Sequence, residues 1–176
     1  ADLHLAERER EYSLAVFEEL MGAAEARSAA AVLISGDLFD TYADAKALRA
    51  EVRAIAEQYS GEILYIPGNH EELQSGKAGS IELLDLSPIT VLHHTPSVFV
   101  ERVFADVPVE ILAVPHQERY GDYRSWNVPA KRAPLRIAMA HGIVTGLAYT
   151  GPDEETGAGM LEPQLFQFHQ TDYAAL

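Results

Sequence analysis

The chain has 176 residues, which suits one domain with a buried core. It carries 13 Lys and Arg against 27 Asp and Glu, a net charge of −14, which argues against a general nucleic-acid-binding surface because such surfaces are basic. It has no cysteine for disulfides or thiolate metal sites, and no apolar run near the roughly 18 residues of a membrane span, so we expect a cytoplasmic protein without a membrane partner.

The first residues, Ala1 to Leu5, are predicted to be the end of a strand whose beginning is absent. Asp2 and His4 alternate with leucines, so in an extended strand both polar side chains would point to the same side. Two ligand-type residues on one side are typical of a metal corner, although Asp-x-His alone also occurs by chance. A helix is predicted from about Glu9 to Arg27, because apolar residues recur there at steps of three and four.

A short run of branched apolar residues, Ala31 to Ile34, predicts a strand that is covered on both faces. Ser35-Gly36 ends it, and Asp37 follows directly. Asp37 would lie at the carboxyl end of the strand, where the functional groups of open α/β sheets collect. An ordinary turn is the alternative, because Asp and Gly are common in turns, and this stretch alone does not decide between the two.

The next segment repeats the same order of strand, break and polar groups. Thr41 to Asp44 has the spacing of a capping box and predicts a second helix that runs to about Tyr59. A buried strand from Ile63 to Ile66 then ends in the loop Pro67 to Glu71. A strand-helix-strand unit predicts two parallel strands whose following loops are neighbours in space.

The second half of the chain changes to a period of two after a short helix near Ile81 to Leu86. Strands are predicted at Ile89 to His93, Ser97 to Phe104, Val109 to Val114 and Leu135 to Ala140, with another beginning at Asp172. We expect this half to form antiparallel or mixed sheet. His141-Gly142 follows a strand end in the same way as Asp37, and residues 145–159 are predicted to be a long mobile loop at the rim of the site.

Residues 119–136 form a basic stretch. They contain five Lys and Arg against one acid, with Tyr120, Tyr123 and Trp126 interleaved. Basic and aromatic side chains together suit a nucleic-acid strand or a phosphate-rich substrate. The alternative, which we favour, is a solvated loop that precedes a strand.

Candidate ligand residues therefore follow strand after strand, and they are Asp2, His4, Asp37, Asn69, His70 and His141. Two carboxylates about 4 Å apart repel by roughly 4 kcal/mol at an effective dielectric constant near 20, and a bound cation removes that penalty. Oxygen and imidazole ligands without sulfur suit manganese, iron or zinc better than an all-oxygen calcium site.

This ordered series resembles the calcineurin-like metallophosphoesterase superfamily over nearly the whole chain. Its motifs are Asp2-x-His4, Gly36-Asp37-x-x-Asp40, Gly68-Asn69-His70-Glu71 and His141-Gly142. The resemblance implies an α/β fold, a four-layer α/β/β/α sandwich of two mixed sheets with a dimetal site at their edge. The strand before Asp2 and a final Gly-His-x-His are missing, so we expect a single metallophosphoesterase domain, residues 1–176, truncated at both ends.

The resemblance also implies ligand roles. Asp2 and His4 would hold the first metal, Asp37 would bridge both metals, and Asn69 and His141 would hold the second. The cofactors are then two divalent ions, and we expect manganese, with iron or zinc as alternatives. The metals would lower the pKa of a bridging water, and the resulting hydroxide would attack the phosphorus in line with the leaving group.

Two further residues receive roles that do not involve binding the metal. His70 is the expected catalytic residue, which faces the scissile phosphate, stabilises the transition state and protonates the leaving oxygen. Asp40 is expected to orient its neighbours from outside the ligand set. The remaining histidines, His93, His94, His116 and His169, match no motif, and we expect them to be surface residues or to be satisfied internally, with His116 the one to check for substrate contact.

Within the superfamily, Gly36 to Asp40, Ile66 to Glu71 and the tail from Asp172 most resemble the DNA double-strand-break-repair exonuclease branch. This implies a phosphodiester substrate such as DNA, manganese, and an SMC-like ATPase as a partner. One alternative is an enzyme for small phosphoesters or cyclic nucleotides, which the charge of −14 favours. Another is a metal-poor binding scaffold of the same fold, which the missing last motif favours.

Overall fold

The computed structural model describes residues 3–71, 81–146 and 159–176. Its helices are α1 (Arg10–Ala26), α2 (Tyr42–Ala56) and α3 (Gln164–Phe168), with 3₁₀ turns at Glu7–Glu9, Ile81–Leu83 and Tyr123–Ser125. Its strands are β1 (Ala31–Ser35), β2 (Glu62–Ile66), β3 (Thr90–Val91), β4 (Val98–Phe104), β5 (Val107–Val114), β6 (Leu135–Ala140), β7 (Ile143–Val144), β8 (Met160–Leu161) and β9 (Tyr173–Ala175). None of the helices in these ranges combines the length and the hydropathy needed to cross a membrane.

The strands form two main sheets, as the predicted α/β fold requires. The first has the order β1-β2-β3 and is parallel throughout its described strands. The second has the order β4-β5-β6-β9, in which β4 is antiparallel to β5 and the other pairs are parallel, while β7 and β8 form a separate parallel pair. The predicted parallel pairing of β1 with β2 is confirmed, and it follows from the helical crossover that joins them. The second sheet is mixed, as predicted. The first sheet, which the resemblance also implies to be mixed, is parallel in its described strands.

Side chains alternate across both sheets and divide the interior into three buried clusters. On β2, Ile63 and Tyr65 pack with the cores of α1 and α2, whereas Leu64 and Ile66 pack against the second sheet. On β5, Ile111 and Ala113 face that same inner cluster. The remaining β5 side chains, Leu112 and Val114, pack on the far side with the outer cluster that contains α3. This alternation explains why both strands are apolar at nearly every position.

The helix boundaries agree closely with the sequence predictions. α1 begins at Arg10, after the 3₁₀ turn. The Thr41 hydroxyl accepts a hydrogen bond from the Asp44 N–H at 3.1 Å, which is the predicted cap of α2. The helix predicted near Ile81 to Leu86 is only a three-residue 3₁₀ turn.

The strand predicted from Ile89 to His93 is also shorter in the structure. It is reduced to β3, Thr90–Val91, at the edge of its sheet. One further backbone bond, from Leu92 N to Tyr65 O at 2.8 Å, follows before the chain leaves β2.

The N-terminal segment differs from the predicted extended strand. Leu5 makes a single parallel bridge to Phe39, and His4 has a φ of 46°, so the alternation expected for Asp2 and His4 is not kept at His4. Asp2 itself lies outside the described residues. Most of the loop predicted at residues 145–159 lies outside them as well, since residues 147–158 are not described.

The basic stretch at residues 119–136 does not expose its aromatic rings. Tyr120, Tyr123 and Trp126 are buried, with 7%, 4% and 8% exposure, and they belong to the outer cluster with Leu112 of β5. Rings buried in this way are not available for stacking on bases. The favoured interpretation as a loop is confirmed, but the loop is a cover for the second sheet and not a fully solvated segment.

Candidate metal centre

The carboxyl ends of β1, β2 and β6 meet at one edge of the paired sheets. The loop after β1 contains Asp37, the loop after β2 contains Asn69 and His70, and His141 directly follows β6. The His141 ring joins the two sheets, because its Nδ1 lies 3.1 Å from the Ser35 carbonyl oxygen at the end of β1. The fold therefore brings together groups that are 106 residues apart in the sequence.

Two glycines allow this close approach. Gly36 has a φ of 87°, and a Cβ at this position would lie 1.9 Å from the Nδ1 atom of His141. A Cβ at Gly68 would lie 2.0 Å from the Oδ1 atom of Asp37. Any larger residue at either position would push the motif loops apart.

The Asp37 carboxylate is fully buried at the centre of this edge. Its Oδ1 accepts a hydrogen bond from the His70 N–H at 3.1 Å. Its Oδ2 has no hydrogen-bond partner among the described residues, and it lies 3.9 Å from the Nε2 atom of His4 and 3.2 Å from the Nε2 atom of His141. Burial raises the pKa of this carboxyl, but the neighbouring His141 ring and the His70 N–H favour the charged form more strongly, so the pKa lies below its ordinary value.

His141 presents an unusual set of contacts. A carbonyl only accepts hydrogen bonds, so Nδ1 carries the proton that faces Ser35 O, and the Nε2 atom of the neutral ring is an acceptor. This Nε2 lies 2.7 Å from Asn69 Oδ1 and 3.2 Å from Asp37 Oδ2. Three acceptors this close together need a positive charge among them, either a proton on Nε2 or a metal ion.

Asp40 lies between the two histidines on the other side of Asp37. Its Oδ1 is 3.5 Å from His4 Nδ1 and 3.8 Å from His70 Nδ1, and its Oδ2 is 3.2 Å from a guanidinium nitrogen of Arg8. His70 Nδ1 also lies 3.1 Å from the Asp40 carbonyl oxygen. The His70 side chain is 38% exposed, so it can meet a ligand that comes from solvent.

These contacts fit a pair of divalent cations. His4, Asp37 and His70 offer ligand atoms that all lie within 4.8 Å of one another, while His141 Nε2 lies 3.2 Å from Asp37 Oδ2 and 2.7 Å from Asn69 Oδ1. A buried carboxylate oxygen that has no hydrogen-bond partner among the described residues and lies near imidazole nitrogens of both His4 and His141 is suited to bridge two metal ions. The individual ligand roles stay predictions, and distance alone would also admit His70 as a ligand.

Sequence reasoning placed Glu71 in the third motif but assigned it no role in the site. Its side chain is fully buried, Oε1 accepts from the Phe39 N–H at 2.7 Å, and Oε2 accepts from the Gly68 N–H at 2.8 Å. Burial raises the pKa of Glu71 to about 7, against the effect of these two bonds. The available signal was an acid placed directly after Gly-Asn-His at a strand end.

The other histidines are placed as follows. His169 is buried, its Nε2 lies 3.0 Å from Tyr123 O, and its ring stacks on Trp126, so it is satisfied internally as expected. His116 is also buried, and its ring centroid lies 6.2 Å from that of His141, behind the site. Burial and the nearby His141 lower the pKa of His116. His93 and His94 contact each other, with ring centroids 4.2 Å apart.

Comparison with known proteins agrees with this geometry. No curated protein matches the chain. The sequence model of the calcineurin-like phosphoesterase family matches residues 1–173, a range that includes every strand-end motif described above. With that match over nearly its whole length, the chain belongs to the calcineurin-like phosphoesterase family.

Proposed function

We propose that this protein is a manganese-dependent phosphodiesterase whose substrate is DNA. Family membership makes it a metal-dependent phosphoester hydrolase with a dimetal centre. The observation that supports the proposed use of that centre is the buried Asp37 Oδ2, which lies between His4 and His141 with no hydrogen-bond partner among the described residues. Manganese and DNA follow from the resemblance of the strand-end motifs to the DNA-repair exonuclease branch.

The ligands divide into two sets that share Asp37. Asp2 and His4 would hold one ion, and Asn69 and His141 would hold the other. When bound, the two ions supply an activated water and neutralise charge on the phosphoryl oxygens. The chain contributes the fixed ligand positions, because the buried edge leaves Asp37 and His141 little freedom to move.

His70 handles the leaving group. Its Nδ1 faces the Asp40 carbonyl oxygen at 3.1 Å and therefore carries a proton, so its Nε2 is the atom available to the substrate. In the imidazolium form this Nε2–H donates first to a phosphoryl oxygen and then gives its proton to the departing oxygen. One Asp40 carboxylate oxygen lies 3.8 Å from the same Nδ1.

A second candidate substrate is a small phosphodiester. The net charge of −14 and the burial of the three aromatic rings at residues 119–136 both favour it, because neither feature suits a polyanion. If DNA is the substrate, the basic surface must come from elsewhere, and an SMC-like ATPase partner is our proposal for its source.

The catalytic role of His70 is tested with His70→Ala in the full-length protein. We expect hydrolysis of bis-p-nitrophenyl phosphate in manganese to fall by at least about 100-fold, the usual contribution of general acid catalysis, with manganese stoichiometry unchanged. His94→Ala, at an exposed histidine outside the motifs, is the matched control and should keep the parent rate. A wild-type rate in His70→Ala would contradict the role, and a lost ion would make His70 a ligand instead.

The substrate is tested by comparing linear DNA with bis-p-nitrophenyl phosphate under the same conditions, with and without the ATPase partner. Efficient manganese-dependent cleavage of DNA supports the nuclease assignment. Turnover of the small diester together with intact DNA in both conditions would overturn it in favour of the second candidate.

A further inference from the structure

We propose that Glu71 is a positioning residue of the metal centre, which holds the loop with Asn69 and His70 against the loop with Asp37 and thereby sets the spacing of the two ions. This inference rests on the proposed function, because it assigns those residues to the metals. It concerns a side chain that neither binds an ion nor touches the substrate in that scheme.

One hydrogen bond of Glu71 joins its loop to the other motif loop, and the second fixes Glu71 within its own loop. Phe39, which donates to Oε1 at 2.7 Å, lies two residues after Asp37. Gly68, which donates to Oε2 at 2.8 Å, lies directly before Asn69. The carboxylate therefore connects the loop after β2 to the loop after β1 through Phe39, at the point where the strand pairing of Ser35 with Ile66 has just ended.

The loops need this connection because they approach each other very closely. The Asp37 side chain occupies the space where a Gly68 Cβ would be, and Asp37 Oδ1 accepts the His70 N–H at 3.1 Å. A further contact joins the same two loops, between His70 Nδ1 and the Asp40 carbonyl oxygen at 3.1 Å. Without Glu71, the N–H groups of Phe39 and Gly68 would be buried and unsatisfied, and the loops would have to separate to reach water.

Stability alone gives no reason for a carboxylate at this position. Glu71 is fully buried, and the structure shows no ion pair for it among the described residues. An apolar side chain would avoid the desolvation cost of the charge but could not accept two N–H groups 29 residues apart in the chain. The geometry of the loops is therefore the property that this side chain provides.

The test compares Glu71→Gln and Glu71→Asp with Glu110→Gln in the full-length protein. Glutamine keeps one acceptor but turns an NH₂ group toward an N–H donor, so one of the two bonds is lost. Aspartate keeps both acceptors on a side chain one carbon shorter and serves as the conservative variant. Glu110 is the control for the loss of a buried carboxylate, because it is a second buried glutamate that accepts two backbone N–H groups, those of Arg132 and Ala133, and it pairs with Arg136 away from the site.

The first measurement is amide hydrogen exchange in the metal-free proteins, which does not depend on activity. We expect Glu71→Gln to speed exchange at Phe39 and Gly68 by about tenfold or more, as one lost bond of 1.4 kcal/mol would do. Glu110→Gln should instead speed exchange at Arg132 and Ala133 and leave the motif loops unchanged. Unchanged exchange at both Phe39 and Gly68 in Glu71→Gln would overturn the proposal.

The second measurement is manganese binding, followed by electron paramagnetic resonance of coupled manganese pairs. In Glu71→Gln we expect affinity for the second ion to fall by about 10- to 100-fold, as for residues that act through a ligand, and the pair signal to fall with it. At saturating manganese, kcat should fall while KM changes less than twofold, and Glu71→Asp should recover part of the loss. If Glu71 has a purely structural role, the folded Glu71→Gln variant will keep the manganese-pair signal and the kcat of the wild type, and the proposal is overturned. We expect that unchanged result for Glu110→Gln.

The wild-type protein separates this inference from the function beneath it. If the wild type binds no manganese pair, the proposed function fails and the inference is overturned with it. If the wild type binds the pair and Glu71→Gln binds it equally well, only the positioning role is overturned.

Discussion

Two groups of buried carboxylates in this fold are stabilised in different ways. Glu110 on β5 forms an ion pair with Arg136, at 2.7 Å, where both side chains are almost completely buried. Asp37 and Glu71 at the strand ends are equally buried, but they are held mainly by backbone N–H groups, and one Asp37 oxygen has no hydrogen-bond partner among the described residues. The first group already contains its cation, whereas the second has a place for a cation from outside.

Glu110 and Arg136 also stabilise the loop that covers the second sheet, and neither side chain is a candidate metal ligand. Arg136 donates to His169 O at 2.7 Å and to Pro129 O at 2.8 Å, while Glu110 accepts from the N–H groups of Arg132 and Ala133. Both charged side chains have hydrogen-bond partners, so they hold the loop at residues 119–136 in place over the second sheet. The comparison shows that burial of an acid indicates a binding site only where the protein leaves its charge uncompensated.

The largest effect on stability should come from breaking the internal ion pair. Arg136→Met removes the cation and leaves Glu110 buried without it, so we expect a loss of about 3–5 kcal/mol in the free energy of unfolding. Urea denaturation of the metal-free protein measures it. Manganese stoichiometry of the folded variant should match the wild type, and a loss below about 1 kcal/mol would show that the pair is not the support we describe.

The two glutamates should give opposite pH dependences of stability in the metal-free protein. Burial raises the pKa of Glu71 from 4.5 to about 7, so its stabilising contribution is complete below pH 4.5 and is lost as the pH rises through 7, a change of about 3 kcal/mol. Although burial opposes it, the hydrogen bonds from Arg132, Ala133 and Arg136 lower the pKa of Glu110, so its contribution is present above pH 4.5 and is lost as the pH falls.

Denaturation of wild type, Glu71→Gln and Glu110→Gln from pH 4 to pH 8 checks these signs. As the pH rises, the free energy of unfolding of the wild type should fall relative to that of Glu71→Gln. As the pH falls, the free energy of unfolding of the wild type should fall relative to that of Glu110→Gln. The same slope for both variants would refute the contrast between the two regions.

The sequence could predict the framework of the site because strand ends and glycines are local signals. Asp37, Asn69 and His141 each follow an apolar run. Parallel pairing of β1 with β2 brings the first two strand ends together, and packing of the second sheet on the first adds the end of β6. The contacts of Glu71 could not be predicted, because they depend on two N–H groups from loops whose backbone path is set by tertiary packing. The left-handed φ of His4 has the same origin.

The basic stretch shows the opposite case, in which a local pattern suggested a function that the fold does not support. Tyr123 and Trp126 are interleaved with basic residues in the sequence, but the outer face of β5 is apolar and needs a cover, and these rings supply it. Composition counts side chains and does not report which of them are buried.

The smallest effect should come from that stretch. Arg124 contacts the Tyr123 ring and Asp122 at the surface, with 58% of its side chain exposed. We expect Arg124→Ala to change the free energy of unfolding by less than about 0.5 kcal/mol, as is usual for surface substitutions. The salt dependence of DNA binding should also stay the same, because Arg124 makes no phosphate contact in our proposal. A clearly smaller salt slope would place this stretch at a nucleic-acid interface after all.

The central claim is that the unpartnered Asp37 oxygen bridges two cations, and manganese binding to wild type and Asp37→Asn tests it most directly. We predict two ions per chain in the full-length wild type and at most one in Asp37→Asn, whose amide cannot supply the bridging charge. The metal-free variant should be less stable than the wild type at neutral pH, because the His141 ring and the His70 N–H outweigh burial and favour the charged form of Asp37. Two ions bound equally by both proteins, or none bound by the wild type, would contradict the account.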